Sequence, residues 1–426
     1  MQAGKNLSDH GLLFASLTAS LLLTETAADR AWLAERLERA SLPVDLGSLH
    51  QLLSVVRSVL GAQAAACGLA GKEVESLGRR VLEAWLLTLP EGEGQMGEVV
   101  VRVNEGGGAG EVAVAPGLLY RHEPTFGAGV ERMEGVRVAL YNVMLDHHQS
   151  GEEWEGLTLE VTGEAVSLDL VHQLEGLGVG LLLCQKVVGE EVRSRLETRL
   201  GMQVVDRLGT AAFSRAAAMV GGRVVSSAAH RLEPSDLGWV EVVEQVEVQG
   251  KSYLSLQRPG AVLVSLVVGS LGEDQAEELQ ASLAKAVAGL AELATEVVPR
   301  VVPGAGCLEA LLALQAEGGL ARALARLALL PSGLGMEEAW VDTRHGHLWG
   351  EEGEWCVCGL VGRSPGLELV PGMEALLGAA REVEPVVKMP VDRAVVVDSR
   401  AAKRRALLLA LETAETLADI GTILYC

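Results

Sequence analysis

Few side chains in this sequence stand in patterns that do chemistry. Cys356 and Cys358 lie one residue apart with His345 and His347 shortly upstream. Thiolate and imidazole are zinc donors, but a structural zinc site needs a second C-x-x-C or a spaced His pair, and neither follows. His147 and His148 beside Asp146 form a second donor group. Adjacent residues point to different faces of any regular element, so a solvated loop is expected there rather than a metal pair. Gly106-Gly-Gly-Ala-Gly110 stands far from a strand-to-helix junction and does not qualify as a nucleotide loop. Lys403-Arg-Arg405 is a short basic run, expected as an exposed helix face, with a nuclear signal as the alternative. No catalytic residue and no metal site emerges.

The elements that would position such groups are clearest between Gly178 and Trp239. Gly178-Val-Gly-Leu-Leu-Leu-Cys184, Gly201-Met-Gln-Val-Val205 and Gly222-Arg-Val-Val225 are short apolar runs closed by polar or Gly positions. Such runs suit strands buried on both faces, and Glu190–Leu200 and Ala211–Val220 between them suit crossover helices. The pattern predicts a parallel β-α-β-α-β core.

Ahead of it, Gly11–Leu23, Ala27–Ala40, Leu46–Leu60 and the spaced Val74, Leu77, Val81, Ala84 and Trp85 read as helices, ended by Pro90. Strands are expected at Glu98–Val103, Gly135–Val143, Trp239–Val248, Ser252–Gln257 and Ala261–Val268, and a helix-like segment at Ser167–Leu177. A long helix starts at Glu273, with acid in its first turns and an apolar stripe through Leu279, Leu283 and Leu290. Leu308–Ala316, Ala321–Leu330 and Ala401–Leu417 read as further helices. Helical ends flanking an α/β middle predict one discontinuous domain holding an insertion.

At 426 residues the chain is long enough for two or three cores, and with 3% aromatics those cores must be aliphatic. The net charge of -22 repels phosphate backbones and anionic lipid, so proteins or small molecules are the expected partners, with no nucleic acid and no membrane. Cys67, Cys184, Cys307, Cys356, Cys358 and Cys426 are scattered, which fits a reducing cytosol better than a disulfide framework. Leu12–Leu23 is interrupted by Ser16, Thr18 and Ser20 and falls short of the ~20 apolar residues of a membrane span.

Leu182-Leu-Cys-Gln-Lys-Val187 resembles the strand-loop of group II chaperonin apical domains. Gly201–Leu208 resembles that family's second apical strand, Gly222–Ser227 its third, and Glu233-Pro-Ser-Asp-Leu-Gly238 its T-P-E-D-L-G loop. Pro303-Gly-Ala-Gly-Cys-Leu-Glu309, Val341–Gly346 and Asp398–Lys403 resemble the flanking turn, hairpin and helix start. Within the family, Ser8–Leu13, Val55–Leu60, Ala84–Glu91, Asp206–Gly209 and Gly346–Trp349 are similar to the divergent Bardet–Biedl branch of chaperonin-like proteins.

The resemblance implies an α/β multidomain fold of group II chaperonin architecture, with a helical equatorial domain, a small intermediate domain and an α/β apical domain. The segments implied are 1–40 and 303–426 (equatorial), 41–130 and 269–302 (intermediate) and 131–268 (apical), with the front of the equatorial domain missing ahead of Asn6. The family's G-D-G-T-T element falls on Ser8-Asp9-His10-Gly11-Leu12, which keeps the Asp that would contact magnesium but loses the phosphate-cradling glycines and threonines. Its H-D-A-L motif falls on Ala284-Lys285-Ala286-Val287, so the carboxylate that serves the hydrolytic water is an ammonium here, with no lone pair to accept a proton. Asp9, Gly11, Gly304, Gly306 and Asp398 are then a vestigial nucleotide site, with no cofactor required and ATP with magnesium at most weakly held. Between Val143 and Gly178 the chain is too short for a full lid helix.

A member of that branch would assist BBSome assembly for cilium biogenesis without efficient ATP hydrolysis. Its partners would be other Bardet–Biedl chaperonin-like proteins, the CCT/TRiC chaperonin and BBSome subunits, met in the cytoplasm and at the centrosome or basal body, and the nucleus is a further location. Glu190, Arg193, Glu197, Asp236 and Trp239 are the expected partner-binding surface, on the helix Glu190–Arg199 and the loop Leu232–Trp239. Two alternatives stay open: an ATP-dependent group II chaperonin subunit that binds and folds unfolded proteins, and an apical-type binding fragment.

Overall fold

The computed structural model describes residues 15, 17–18, 30–90, 96–121, 132–145, 163–260, 263–304, 306–329 and 397–424. The chain divides into two compact units, 1–82 with 270–426, and 83–269. In the terms of the expected segments, 41–82 and 270–302 fall in the first unit and 83–130 in the second.

The first unit begins with α1 (Arg30–Arg39), the short β1 (Leu42–Pro43), α2 (Leu49–Ala62) and α3 (Gly71–Leu86). The second unit carries β2 (Glu98–Glu105), β3 (Val112–Pro116), β4 (Leu118–Arg121), β5 (Arg132–Tyr141), α4 (Gly163–Gly176) and β6 (Val179–Cys184). It continues through α5 (Glu190–Ser194), extended by a π-helical turn Arg195–Arg199, then β7 (Gln203–Val205), α6 (Thr210–Val220) and β8 (Val224–Val225). A 3-10 turn at Pro234–Asp236 leads into β9 (Gly238–Val248), β10 (Lys251–Gln257) and β11 (Leu263–Ser270). The chain then returns to the first unit with α7 (Glu273–Thr295), β12 (Arg300–Pro303), α8 (Cys307–Gln315), α9 (Gly318–Leu329), β13 (Val397–Ser399) and α10 (Arg400–Leu424).

In the second unit the main sheet runs β4-β10-β9-β5-β6-β7, with β8 on β5. β5, β6, β7 and β8 are parallel, in registers such as Leu140↔Leu183, Leu181↔Gln203 and Tyr141↔Val225. The expected β-α-β-α-β core is therefore present as β6-α5-β7-α6-β8, with β5 and α4 added in front. Alternation splits these strands between two cores. Val138, Leu140, Leu181 and Leu183 face Phe213, Ala216 and Met219 of α6. Ala139, Tyr141, Leu182 and Cys184 face Leu170 and Leu174 of α4 and Val192 and Leu196 of the α5 segment. Burial on both faces is why these strands read as unbroken apolar runs.

β1 and β12 of the first unit have no counterpart in the sequence reading, nor have β3 and β4 of the second. The latter two belong to different sheets, β3 pairing with β11 and β4 with β10, and Gly117 is the single residue between them. Its φ is +84°, and a Cβ there would lie 2.0 Å from the Leu256 carbonyl oxygen. Gly117 also donates its N–H to the Leu263 carbonyl and accepts from the Ser265 hydroxyl, so the crossing is held on both sides of the glycine.

In the first unit both chain ends share one core: Leu33 and Leu37 of α1 pack with Leu308 and Leu312 of α8, Leu324 of α9, and Leu407 and Leu411 of α10. The expected union of the helical ends is thus present. Most of Gly11–Leu23 lies outside the described residues. The long helix α7 buries Leu279, Leu283, Leu290 and Leu293. No helix among the described residues is long and apolar enough to cross a membrane.

Gly117→Ala must displace backbone rather than a side chain, and it forces a Cβ residue to positive φ. Chemical denaturation of the full chain should show this variant destabilised by more than about 2 kcal/mol. Gly250→Ala, also at positive φ but with nothing within 4 Å, should cost clearly less.

Candidate functional site

The glycine turn of the first unit is built by β12 and β13. Their antiparallel register, Val302↔Asp398 and Pro303↔Val397, sets Asp398 beside the turn at Gly304 and Gly306. Gly306 caps α8 with φ +80°, and a Cβ on it would lie 2.4 Å from the Ala328 carbonyl oxygen at the end of α9. Glu309 occupies the first turn of α8. α10 starts on the other side, where Ser399 Oγ accepts the N–H of Ala402 at 3.2 Å, a helix-capping contact.

Lys403 closes this arrangement. Its Nζ lies 2.7 Å from Glu309 Oε1 and 2.7 Å from Asp398 Oδ2, while Lys403 is only 3% and Glu309 1% exposed. Burial alone would drive the ammonium's pKa down, but the pull of Asp398 and Glu309 outweighs it and the net shift is upward. The lysine therefore stays charged across the whole physiological range. The sequence reading of Lys403-Arg-Arg405 as an exposed face is corrected at its first member. Arg404 and Arg405 are exposed, but Lys403 shares a helical stripe with the buried Ala406, Leu407 and Ala410. That stripe was the signal available in the sequence.

Around this triad lies a ring of ion pairs. Arg400 reaches Glu38 of α1 and Glu296 after α7, each at 2.9 Å, and Arg405 reaches Glu292 of α7 at 2.8 Å.

Of the expected nucleotide-site residues, the structure brings together Gly304, Gly306 and Asp398, while Asp9 and Gly11 lie outside the described residues. Among the residues present, glycine at 306 is required by its approach to α9, and Asp398 is already engaged by Lys403. Neither calls for a phosphate or a magnesium ion to explain it. Lys285 sits half-buried on α7 near Cys67, whose thiol pKa is pushed up chiefly by burial and drawn back partly by Ser282 and by the charge of Lys285. No group of three or more His, Cys, Asp or Glu that could hold a metal occurs among the described residues. The Asp146–His148 and His345–Cys358 donor groups lie outside them.

The second unit holds the expected partner surface. Arg193 of α5 lies 2.6 Å from Asp206 and 3.2 Å from Glu197, and it donates to the Val204 carbonyl. Asp206 also accepts the N–H of Val188. Arg193 and Glu197 are turned inward, with side chains 12% and 8% exposed, and they fasten the α5 segment to β7. Asp236 is interior too. Its carboxylate accepts the N–H of Glu233 in a reciprocal capping box, meets His230 Nε2 at 3.0 Å, and is 4% exposed. Its pKa is lowered, first by the Glu233 N–H and then by His230. Gln173 of α4 holds the same loop by accepting the N–H of Leu232. Of the five residues, only Glu190 and Trp239 are exposed, Trp239 at 42% in β9 opposite Arg137 of β5.

A model of the TCP-1/cpn60 chaperonin family matches residues 21–318. The chain is 26% identical to Molecular chaperone MKKS of Mus musculus over 90% of this chain and 75% of that protein. Against Molecular chaperone MKKS of Homo sapiens the figures are 25% identity over 96% and 78%. Thermosome subunit beta of Thermococcus kodakarensis is 22% identical over 50% of this chain and 40% of its own length. Among solved structures, the open-state monomer of a group II chaperonin from Methanococcoides burtonii superposes with a TM-score of 0.57 at 15% identity, covering 96% of this chain and 99% of that one. The resemblance of the short runs Val55–Leu60, Ala84–Glu91 and Asp206–Gly209 thus extends along nearly the whole chain, and the group II chaperonin fold expected from the sequence is the one present.

Two outcomes test this geometry. Lys403→Met leaves the buried Glu309 and the part-buried Asp398 without a cation, so urea unfolding should report a loss of about 3–5 kcal/mol. Adding Glu309→Gln and Asp398→Asn should return a large part of it. For Asp236, a depressed folded pKa contributes stability that is full above the unfolded carboxylate range and fades as pH falls through the folded value. Melting followed between pH 7 and acid should therefore show a smaller acid-induced drop for Asp236→Asn, which starts lower, than for the unaltered chain.

Proposed function

The chain belongs to the TCP-1/cpn60 chaperonin family, and from that premise we propose that it is a chaperonin-like assembly factor that holds non-native protein without efficient ATP hydrolysis. The observation that carries this reading is Lys285 on α7, an ammonium where the family places its hydrolytic carboxylate. Asp398, the carboxylate beside the glycine turn, is moreover engaged by Lys403. Likeness to Molecular chaperone MKKS along most of the chain supports a function of the Bardet–Biedl kind. Under this reading the protein works with other Bardet–Biedl chaperonin-like proteins and CCT/TRiC on BBSome subunits, in the cytoplasm and at the centrosome or basal body, in support of cilium biogenesis. Glu190 and Trp239 are the surface groups through which the α/β unit meets a client, with Trp239 as an aromatic anchor.

A second reading, an ATP-driven chaperonin subunit, is favoured by one feature, the glycine turn kept at the start of α8. The two separate in one assay. Purified full-length protein mixed with a chemically denatured test protein should suppress its aggregation equally with and without magnesium-ATP, and should release no phosphate above background. Trp239→Ala should weaken suppression several-fold. Magnesium-dependent turnover, or suppression that requires ATP, would overturn the proposal in favour of the second reading.

A further inference from the structure

Although the chain carries a net charge of -22, its residues 207–232 hold no Asp or Glu while carrying Arg207, Arg215, Arg223, His230 and Arg231. Three hydroxyls of the α/β unit stand three residues after an arginine: Thr198 after Arg195, Thr210 after Arg207 and Ser226 after Arg223. That spacing suits protein kinases whose substrate groove is acidic, since a cation at a fixed distance pairs with the groove and registers the hydroxyl. The structure separates the three. The Thr198 hydroxyl donates to the Ser194 carbonyl inside the α5 segment, and Thr210 Oγ1 accepts from Gln185 Nε2 at 3.0 Å. Ser226 is exposed directly after β8, and its hydroxyl has no hydrogen-bond partner among the described residues. The neighbouring Ser227 hydroxyl is engaged, accepting the N–H of Ala229 at 3.3 Å.

The surroundings of Ser226 can also receive an anion. Arg231 is exposed and has no ion-pair partner among the described residues. Arg223 keeps 70% of its side chain exposed and lies 3.5 Å from Asp236, and the part-exposed His230 lies 3.0 Å from the same carboxylate. Asp236 in turn holds the following loop through its capping box with Glu233, ahead of the exposed Trp239.

We propose that Ser226 is a phosphorylation site for a basophilic serine/threonine kinase. The transfer breaks the γ-phosphoanhydride bond of the kinase's ATP and forms an Oγ–P ester on Ser226, while ADP leaves and the hydroxyl proton passes to the kinase's own base. The new group carries about -1.5 to -2 charges at neutral pH and competes with Asp236 for Arg223 and His230. Modification thereby loosens the loop Leu232–Trp239. The site goes beyond the client-holding function and does not depend on it, because neither the transfer nor the loosening needs a client.

The test incubates the purified full chain with magnesium-ATP and the catalytic subunit of cAMP-dependent protein kinase, and locates the phosphate by tandem mass spectrometry. Ser226 should carry most of the label. Arg223→Ala should slow labelling of Ser226 at least about tenfold, and Ser226→Ala should remove that label without moving the melting temperature, since the hydroxyl holds nothing. In the phosphorylated chain, hydrogen exchange at the amides of Leu232 and Glu233 should quicken at least about tenfold. Absence of label, label on Ser227, Thr198 or Thr210 in place of Ser226, or a rate indifferent to Arg223 would overturn the site, and the first two of these need no variant. Phosphorylated Ser226 with unchanged exchange would overturn the competition with Asp236.

Discussion

A single ammonium group, buried and shared by two carboxylates, fixes the helical unit of this protein. Lys403, Asp398 and Glu309 come from α10, β13 and α8, which β12–β13 pairing and the apolar core beneath also bring together. Burying the ions carries a desolvation cost that only close, multiple contacts offset, so the geometry is tightly specified. The β12–β13 register supplies Asp398, the capped start of α10 supplies Lys403, and a positive-φ glycine pressed on the end of α9 aims the first turn of α8. Arg400 and Arg405 extend the fastening outward to α1 and α7, where exposure makes each pair weaker and their number matters more.

The α/β unit uses charge in the same structural way. Arg193, Asp206 and Glu197 bind the α5 segment to β7, and Asp236 folds its loop around a capping box. Groups that look like recognition chemistry in sequence are thus spent on holding backbone. Of the five expected partner residues, Trp239 and Glu190 stay exposed, on a mixed sheet whose parallel strands are covered by helices on both faces.

The parallel core was legible because Leu181–Cys184 and Gln203–Val205 are buried on both sides, which leaves an unmistakable apolar run. The strands β3 and β4 were not, since Val112–Pro116 is only half-buried and a glycine breaks the alternation where the chain changes sheets. Lys403 was misread because three consecutive basic residues look solvated, although its helical spacing to Ala406, Leu407 and Ala410 places it inward. Arg193 and Glu197 failed for a different reason. An i,i+4 ion pair normally marks an exposed helix face, and only the non-local arrival of Asp206 from the end of β7 turns this one inward.

We propose that the glycine-turn site, whose Asp398 and Glu309 are engaged by Lys403, does not answer to nucleotide. Hydrogen–deuterium exchange of the peptide amides from Cys307 to Gln315 and from Ser399 to Leu411, with and without saturating magnesium-ATP, addresses it most directly. Exchange that is slow and unchanged by nucleotide is the result predicted here. Nucleotide-induced protection at the start of α8, or loosening around Lys403, would contradict it.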